Sequence, residues 1–220
     1  MRFRRIVECY NLTPILPAVV QNTFFTFDDV SSGCALNNSV YPSLMGPTGQ
    51  PQDRSFAFVG NQVTGGRHGV LGAAWNYYAE ASVADLLISG NRFALYPQPP
   101  VGADGPGAAA TLWGADHLDL AGNTVAQADS LLAVDQACTN MLVLKNDSAA
   151  ASIRSIDDRG TGGGLLSSQI LKNRLGCGVS VHLRAPLKDG AHHFLRQNAC
   201  VSTNGATTSL FAEPLALPIH

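Results

Sequence analysis

Seven asparagines mark a repeated pattern of apolar residues, and this pattern constrains the fold more than any other feature of the chain. The residue three positions before each asparagine is always apolar, and the residue two positions after it is apolar or cysteine in six repeats. The repeats are VVQNTF, FVGNQV, ISGNRF, LAGNTV, LKNDS, LKNRL and LRQNAC, around Asn22, Asn61, Asn91, Asn123, Asn146, Asn173 and Asn198. A unit repeated in this way is typical of a solenoid, in which each unit stacks on the next.

Each repeat has the form apolar-x-apolar-x-x-Asn-x-apolar. The alternation before the asparagine is typical of a β-strand with one face buried. We expect the asparagine to mark a bend, because it tolerates the left-handed conformation and can bond to nearby peptide groups. Successive asparagines are 23 to 39 residues apart. This spacing suits about seven turns of a coil with loop insertions, and it predicts one internal row of stacked asparagines.

A third strand is expected upstream of each unit. The candidates are GVLGAAW (69–75), AATLWG (109–114), SLLAVDQ (130–136), GLLSS (164–168) and VSVHL (179–183). The strings PQPPVGADGPG (97–107) and GTGGG (160–164) are interpreted as loops between turns of the coil, and GTGGG lacks the Lys-Ser/Thr of a phosphate-binding loop. The pair Asp157 and Asp158 is expected in a solvated loop or turn.

The repeated strings resemble those of right-handed parallel β-helix proteins of the pectin-lyase-like superfamily, over roughly residues 17–202. The resemblance implies one all-β domain with an internal asparagine ladder and a right-handed coil. Residues 1–16 and 203–220 would then be terminal caps, or a tail at the carboxyl end. Members of the superfamily include pectate lyases, polygalacturonases, phage tailspikes and adhesins, so the resemblance favours an extracellular or cell-surface protein. It specifies the fold well and the activity poorly.

Catalytic candidates are few. Polygalacturonase-like members use an Asn-Thr-Asp, a paired Asp, a Gly-His-Gly and an Arg-Ile-Lys element, of which only the aspartate pair is present here. Lyase-like members use Arg or Lys as the base, often with calcium. The segment VHLRAPLKDGAHH supplies His182, Arg184 and Lys188 as weak candidates, with an ordinary polar surface loop as the alternative. No cofactor or metal is expected, except calcium if the chain is a lyase.

Aromatic residues near two of the expected corners are candidates for glycan binding, since they combine an apolar ring with a polar edge. The candidates are Trp75, Tyr77, Tyr78, Trp113 and His117. The alternative is that these rings pack against neighbouring loops. In either case they lie on the flank where the resemblance places active sites.

Composition excludes several classes of function. A net charge of −2 gives no basic field for nucleic acid, and no apolar run is long enough for a membrane span. Five cysteines without a close pair argue against a cysteine-built metal site. We interpret them as core fillers and leave disulfides open. The start MRFRRIVECYNLTP is basic, but Glu8 and Pro14 interrupt the apolar run, so no clear signal peptide is predicted.

These observations favour a non-enzymatic scaffold or surface module that presents loops, with glycans as candidate ligands. The alternative is a polysaccharide lyase or glycoside hydrolase acting on acidic polysaccharide. A polysaccharide is the expected partner, and self-association or attachment to a larger assembly is a further possibility.

Overall fold

The structure is a computed structural model. It describes residues 2–3, 18–27, 34–40, 56–66, 68–74, 83–95, 107–113, 115–150, 155–165, 168–176, 181–182, 194–201 and 207–209. Within these residues the chain forms 21 β-strands and no helix, so the all-β class is confirmed for the described part. The same part of the chain contains no helix long and apolar enough to cross a membrane.

The strands are short and follow one another closely. In chain order they are β1 (Arg2–Phe3), β2 (Ala18–Gln21), β3 (Phe24–Phe27), β4 (Cys34–Val40), β5 (Phe56–Val59), β6 (Gln62–Thr64), β7 (His68–Ala74), β8 (Val83–Ser89), β9 (Arg92–Ala94), β10 (Ala108–Trp113), β11 (Ala115–Ala121), β12 (Thr124–Gln127), β13 (Ser130–Leu144), β14 (Asp147–Ser148), β15 (Ile156–Leu165), β16 (Gln169–Leu171), β17 (Arg174–Gly176), β18 (Val181–His182), β19 (Phe194–Arg196), β20 (Ala199–Val201) and β21 (Thr207–Ser209).

Strands that precede the asparagines pair with one another, and so do strands that follow them. The first row contains β2, β5, β8, β11, the second half of β13, β16 and β19. The second row contains β3, β6, β9, β12, β14, β17 and β20, with β1 and β21 at its ends. The third row contains β4, β7, β10, the first half of β13, β15 and β18. Because β13 spans both the third and the first row, these two rows form one 12-stranded sheet, and the second row forms a nine-stranded sheet.

Nearly all of this pairing is parallel. The one antiparallel pair among the described strands is β20 with β21, at the end of the second row. A parallel pair needs a crossover connection, and here the intervening strands of the other two rows provide it. The described strands therefore have β-helix-like pairing.

The core lies between the rows and is built from columns of residues in register. Phe58, Ile88, Leu120, Val143 and Ile170 occupy equivalent positions on successive strands of the first row, and each is fully buried. Val63, Phe93 and Val125 form a second buried column on the second row. The ring of Phe58 lies between those of Phe25 and Phe93, with centroid distances of 5.8 and 6.3 Å. Leu195 continues the first column in register.

The first repeat does not follow the register that the asparagine alignment predicts. Val20, not Val19, pairs with Phe58, and Val19 is 59% exposed. Phe25, not Phe24, is buried in the second row, and Phe24 is 65% exposed. Because side chains alternate between faces, a shift of one residue reverses the face of every residue in the strand. The predicted inward positions of Val19 and Phe24 are therefore wrong.

The third row corrects two loop predictions. GTGGG lies within β15, which pairs with β13 from Ile156 onward with two register irregularities. Asp157 is in the same strand and is 3% exposed, so it is not in a solvated loop. Only the first two residues of the expected strand GLLSS, Gly164 and Leu165, belong to this longer strand, at its end. The segment PQPPVGADGP lies outside the described residues.

Candidate functional site

Six asparagines form one continuous row of buried side chains. Asn91 illustrates its geometry. Its Nδ2 donates to the carbonyl oxygen of Phe58 at 2.8 Å and to Oδ1 of Asn123 at 2.9 Å. Its Oδ1 accepts the backbone N–H and the side-chain amide of Asn61, at 2.8 and 3.2 Å. These four hydrogen bonds are all that an asparagine amide can make.

The same four bonds recur along the row. Asn123, Asn146 and Asn173 each donate to the carbonyl three residues before the preceding asparagine and to Oδ1 of the next one. Each also accepts the backbone N–H and the amide of the preceding asparagine. Asn198 continues the row by donating to Ile170 and accepting from Asn173. From Asn91 to Asn173, the side-chain amides therefore use all of their hydrogen-bonding groups within the row and its neighbouring carbonyls.

Asn22 does not belong to this row, so its predicted place in the ladder is wrong. It is exposed and has a φ of 51°. Thr23 occupies the ladder position, and its backbone N–H donates to Oδ1 of Asn61 at 2.9 Å. Threonine has no side-chain amide with which to continue the row. Its hydroxyl donates instead to the carbonyl oxygen of Gln21 at 3.0 Å.

The bend lies one residue before each ladder position, and not at the ladder residue itself. The residues there have φ between 51° and 65° and are Asn22, Gly60, Gly90, Gly122, Lys145, Lys172 and Gln197. The backbone N–H of each of the first six donates to a carbonyl of the next repeat, at 2.9–3.1 Å. This left-handed corner turns the chain from the first row into the second and directs the following asparagine inward.

The corner carries a group of cations that the sequence analysis did not single out. Lys145 and Lys172 are exposed in consecutive repeats, and strands of neighbouring repeats lie about 4.8 Å apart. Arg174 follows the second of these corners, and its Nη1 is 2.5 Å from Oδ2 of Asp147 in the neighbouring strand. Arg196 is exposed at the end of β19 in the first row, directly before the corner residue Gln197. The strings LKND and LKNR, with lysine directly before a ladder asparagine, were the available signal.

Of the glycan-binding candidates, His117 is the best described. It is exposed, has a φ of 60°, and its Nε2 lies 4.0 Å from Oδ1 of Asp119. Asn140 occupies the same position one repeat later, because Asp116 pairs with Thr139 and Leu118 with Met141. Asn140 is also exposed, with a φ of 54°. This second left-handed corner stands at the other end of the first-row strands.

The positions of the aromatic candidates are only partly described by the structure. Trp113 is the last residue of β10 and pairs with Ala73 of β7, but its side chain lies outside the described part. Trp75, Tyr77 and Tyr78 lie outside the described residues altogether. The structure thus places Trp113 and His117 in consecutive strands. The grouping of all five candidates on one flank stays a prediction.

Of the catalytic candidates, only His182 lies in a described strand. It pairs in register with Asp157, on neighbouring parallel strands of the third row. Thr111, Ala133 and Asp157 stand in one line across these strands, and all three are buried. Arg184 and Lys188 lie outside the described residues. The register therefore brings one buried carboxylate next to a histidine position, a neighbourhood that the sequence analysis missed because it placed Asp157 in a loop.

The described cysteines differ in state. Cys138 is a buried free thiol. Cys200 is disulfide-bonded, to a cysteine whose side chain is not described. Among the described residues, no group of three or more His, Cys, Asp or Glu side chains is arranged to hold a metal ion.

Comparisons with protein-family models, with curated proteins and with solved structures found no match to this chain.

Proposed function

We propose that this chain is a right-handed parallel β-helix of about seven rungs, related to the pectin-lyase-like superfamily. We further propose that it is a rigid scaffold that presents glycan-binding residues at its corners. The observation that carries the proposal is the row of six buried asparagines, in which Asn91 to Asn173 make every hydrogen bond available to their side chains. A network without unsatisfied groups favours one rigid arrangement.

The pairing of the strands supports the architecture. Each of the three rows is a series of parallel strands whose connections run through the other two rows. Parallel crossover connections are right-handed in about 98% of cases. The disulfide at Cys200 also agrees with an extracellular or cell-surface location, because disulfides persist in oxidising compartments.

Glycan binding is proposed for the corner that carries His117 and Asn140. Both side chains are exposed at equivalent positions of successive repeats, so they stand about 4.8 Å apart. An extended sugar chain also repeats at several ångströms, and these two neighbouring corner positions can therefore meet successive sugars. Trp113 precedes this corner in sequence, and Trp75 follows two residues after Ala73, the residue of the preceding repeat that pairs with Trp113. They would supply apolar stacking surfaces.

A second candidate function is cleavage of acidic polysaccharide by a lyase or a hydrolase. It is favoured by one observation, the pairing in register of buried Asp157 with His182. A carboxylate beside a histidine is a common arrangement for positioning a general base. Arg184 and Lys188 follow in the chain and are the residues that would contact an acidic sugar.

The test measures binding and cleavage with the same purified protein. Acidic and neutral polysaccharides are immobilised for binding, and the same polymers in solution are assayed for new reducing ends and for unsaturated products. The scaffold proposal expects binding without turnover. It also expects the Trp75→Ala, Trp113→Ala double variant to bind more weakly than the wild type.

The matched variant is His117→Asn, which places at this corner the residue that the next repeat already has at the same φ. It removes the imidazole without new backbone strain. Turnover that is abolished in Asp157→Asn, in a protein that still folds, would establish the enzyme instead. No binding to any polysaccharide would refute glycan recognition.

A further inference from the structure

The strands of the first row are apolar on both of their faces. Their inward residues form the buried column that contains Ile88 and Val143. The residues on either side of these point outward, because side chains alternate along a strand, and most of them are apolar as well. They include Val59, Leu87, Ala121, Leu142, Leu144 and Leu171, which we term the apolar face. The runs LLI (86–88) and MLVL (141–144) are typical of parallel strands that are covered on both sides.

The apolar face is continuous across five repeats, because the outward residues stand in two columns in register. One column contains Ala57, Leu87, Asp119, Leu142 and Gln169. The other contains Val59, Ser89, Ala121, Leu144 and Leu171. Seven of these ten residues are apolar, and the three polar ones are Ser89, Asp119 and Gln169. Every one of the ten is in contact with solvent, and Leu87 is 37% exposed.

The outer face of the second row provides a comparison within the same coil. Its outward residues, in register across five repeats, are Gln62, Arg92, Thr124, Asp147 and Arg174. All five are polar, as expected of a sheet face in water. The same repeats therefore present a polar sheet on one side of the left-handed corner and an apolar sheet on the other. A contiguous apolar surface beside a polar one marks a site of association.

We infer that the apolar face is the interface of a homodimer, in which it packs against the same face of a second copy of the chain. An apolar sheet face is covered well by another sheet about 10 Å away, whose side chains interdigitate with its own. A second copy supplies a sheet with the same spacing of about 4.8 Å between strands. The side-chain rows of the two copies therefore stay in step over the whole length of the face. The inference goes beyond the proposed function and does not rest on it.

The size of the first-row sheet agrees with a dimer. Its seven strands span about 34 Å at about 4.8 Å each, and an average length of about five residues gives a width of about 17 Å. The sheet therefore covers about 600 Å² in each copy, or about 1,200 Å² in a dimer. This area lies at the lower end of the range for stable protein interfaces, so we expect a dissociation constant in the micromolar range. Because both copies use the same face, the dimer is closed and adds no third copy.

Asp119 is the one charged residue among the ten outward positions, and it stands at the middle of its column. Its side chain is 42% exposed, and its Oδ1 lies 4.0 Å from Nε2 of His117. A carboxylate at this position loses water when the two faces meet, and this loss costs free energy. Asp119 therefore lowers the affinity of the dimer and opposes the binding of unrelated apolar surfaces.

The test measures the mass of the full chain in solution by sedimentation velocity, between about 1 and 100 μM. The wild type is expected to change from monomer to dimer over this range. Ala121→Glu places like charges from both copies in the interface and should weaken the dimer by at least about a hundredfold. Thr124→Glu is the matched control, because Thr124 lies three residues further on, beyond the same corner and on the polar face. This control should dimerise as the wild type does.

Two further variants act without an added charge. Leu142→Thr with Leu171→Thr removes apolar surface but keeps residues that suit a β-strand, and it should weaken the dimer by about tenfold or more. Asp119→Asn keeps the shape of the side chain and removes its charge, so it should strengthen the dimer by about tenfold. Circular dichroism and thermal unfolding of each variant establish that it folds.

The inference is overturned if the wild type stays monomeric at the highest concentration, or if Ala121→Glu and Thr124→Glu dimerise equally well. A monomer whose unfolding temperature falls in Ala121→Glu but not in Thr124→Glu would show that another part of the same chain covers the apolar face. A monomer that loses polysaccharide binding in Ala121→Glu alone would assign this face to a glycan. Either of these results also removes the dimer.

Discussion

Oδ1 of Asn123 accepts both the backbone N–H and the side-chain amide of Asn91, at 3.0 and 2.9 Å. One oxygen thus holds two groups of the preceding repeat, 32 residues earlier in the chain. The amide of Asn123 in turn donates to Ile88 of that repeat and to Asn146 of the next. Each asparagine is therefore a link between three repeats. Loss of one asparagine therefore removes hydrogen bonds from both neighbouring repeats and destabilises the protein, because buried donors and acceptors that lose a partner cost free energy.

Replacement of Asn123 by Ala should lower the free energy of unfolding by about 1–3 kcal/mol, toward the upper end, because several buried groups lose their partner together. Unfolding in urea, followed by circular dichroism, measures the change. Asn22→Gly is the control, since Asn22 is exposed at a left-handed position and glycine is accommodated there. Equal stability of the Asn123→Ala variant and the wild type would contradict the ladder.

The inward and outward faces of β8 can be compared at neighbouring residues. Ile88 is fully buried, whereas Leu87 is 37% exposed. Ile88→Ala should cost about 2–5 kcal/mol, because it removes buried apolar surface and leaves a cavity. Leu87→Ala should cost clearly less. Denaturant unfolding of the two variants checks the register, and a reversed order would show that the faces of β8 are assigned incorrectly.

The corrected register of the first repeat makes a similar prediction for two adjacent phenylalanines. Phe25 is 8% exposed and its ring packs near that of Phe58, whereas Phe24 is 65% exposed. Phe25→Ala should destabilise the protein by about 3–5 kcal/mol, and Phe24→Ala by much less. Thermal unfolding of both variants measures this difference. If Phe24→Ala is the more damaging change, the register predicted by aligning Asn22 with the other asparagines was correct.

Two glycines of the chain should respond differently to alanine, for different reasons. A Cβ at Gly69 would lie 2.4 Å from the carbonyl oxygen of Ala109 and 2.4 Å from the ring of Phe93. Gly69→Ala should therefore cost about 3 kcal/mol through overpacking. At Gly122 there is open space and the only penalty is the left-handed φ of 63°, so Gly122→Ala should cost about 1 kcal/mol. Calorimetry of the two variants should place Gly69→Ala well below Gly122→Ala in stability.

Much of the strand pattern could be predicted from the sequence because burial alternates locally. Phe58, Ile88, Leu120, Val143 and Ile170 share one position relative to an asparagine, and the structure buries all of them in one column. The candidate site was less predictable. The two lysines at the left-handed corner are far apart in sequence, and only the stacking of repeats brings Lys145 and Lys172 into one row.

The sequence pattern predicted the wrong register or the wrong environment where the same residues suit two of them. VVQNTF contains one asparagine and several apolar residues, so it fits the repeat in either of two alignments. Pairing with β5 and the bond from Thr23 to Asn61 select between them. Asp157 is followed by a polar, glycine-rich string typical of a loop, yet pairing with β13 and β18 draws it into a buried strand.

The sequence by itself determined that this chain forms β-strands in repeated units, since alternation and the asparagine spacing are properties of neighbouring residues. The tertiary structure alone decided which residue of each unit turns the backbone and which polar side chains are buried. It also decided which charges stand next to one another. These properties depend on contacts between residues 23 to 38 positions apart along the asparagine row. Hydrogen bonds between repeats, and not the preference of any single residue, hold such contacts in place.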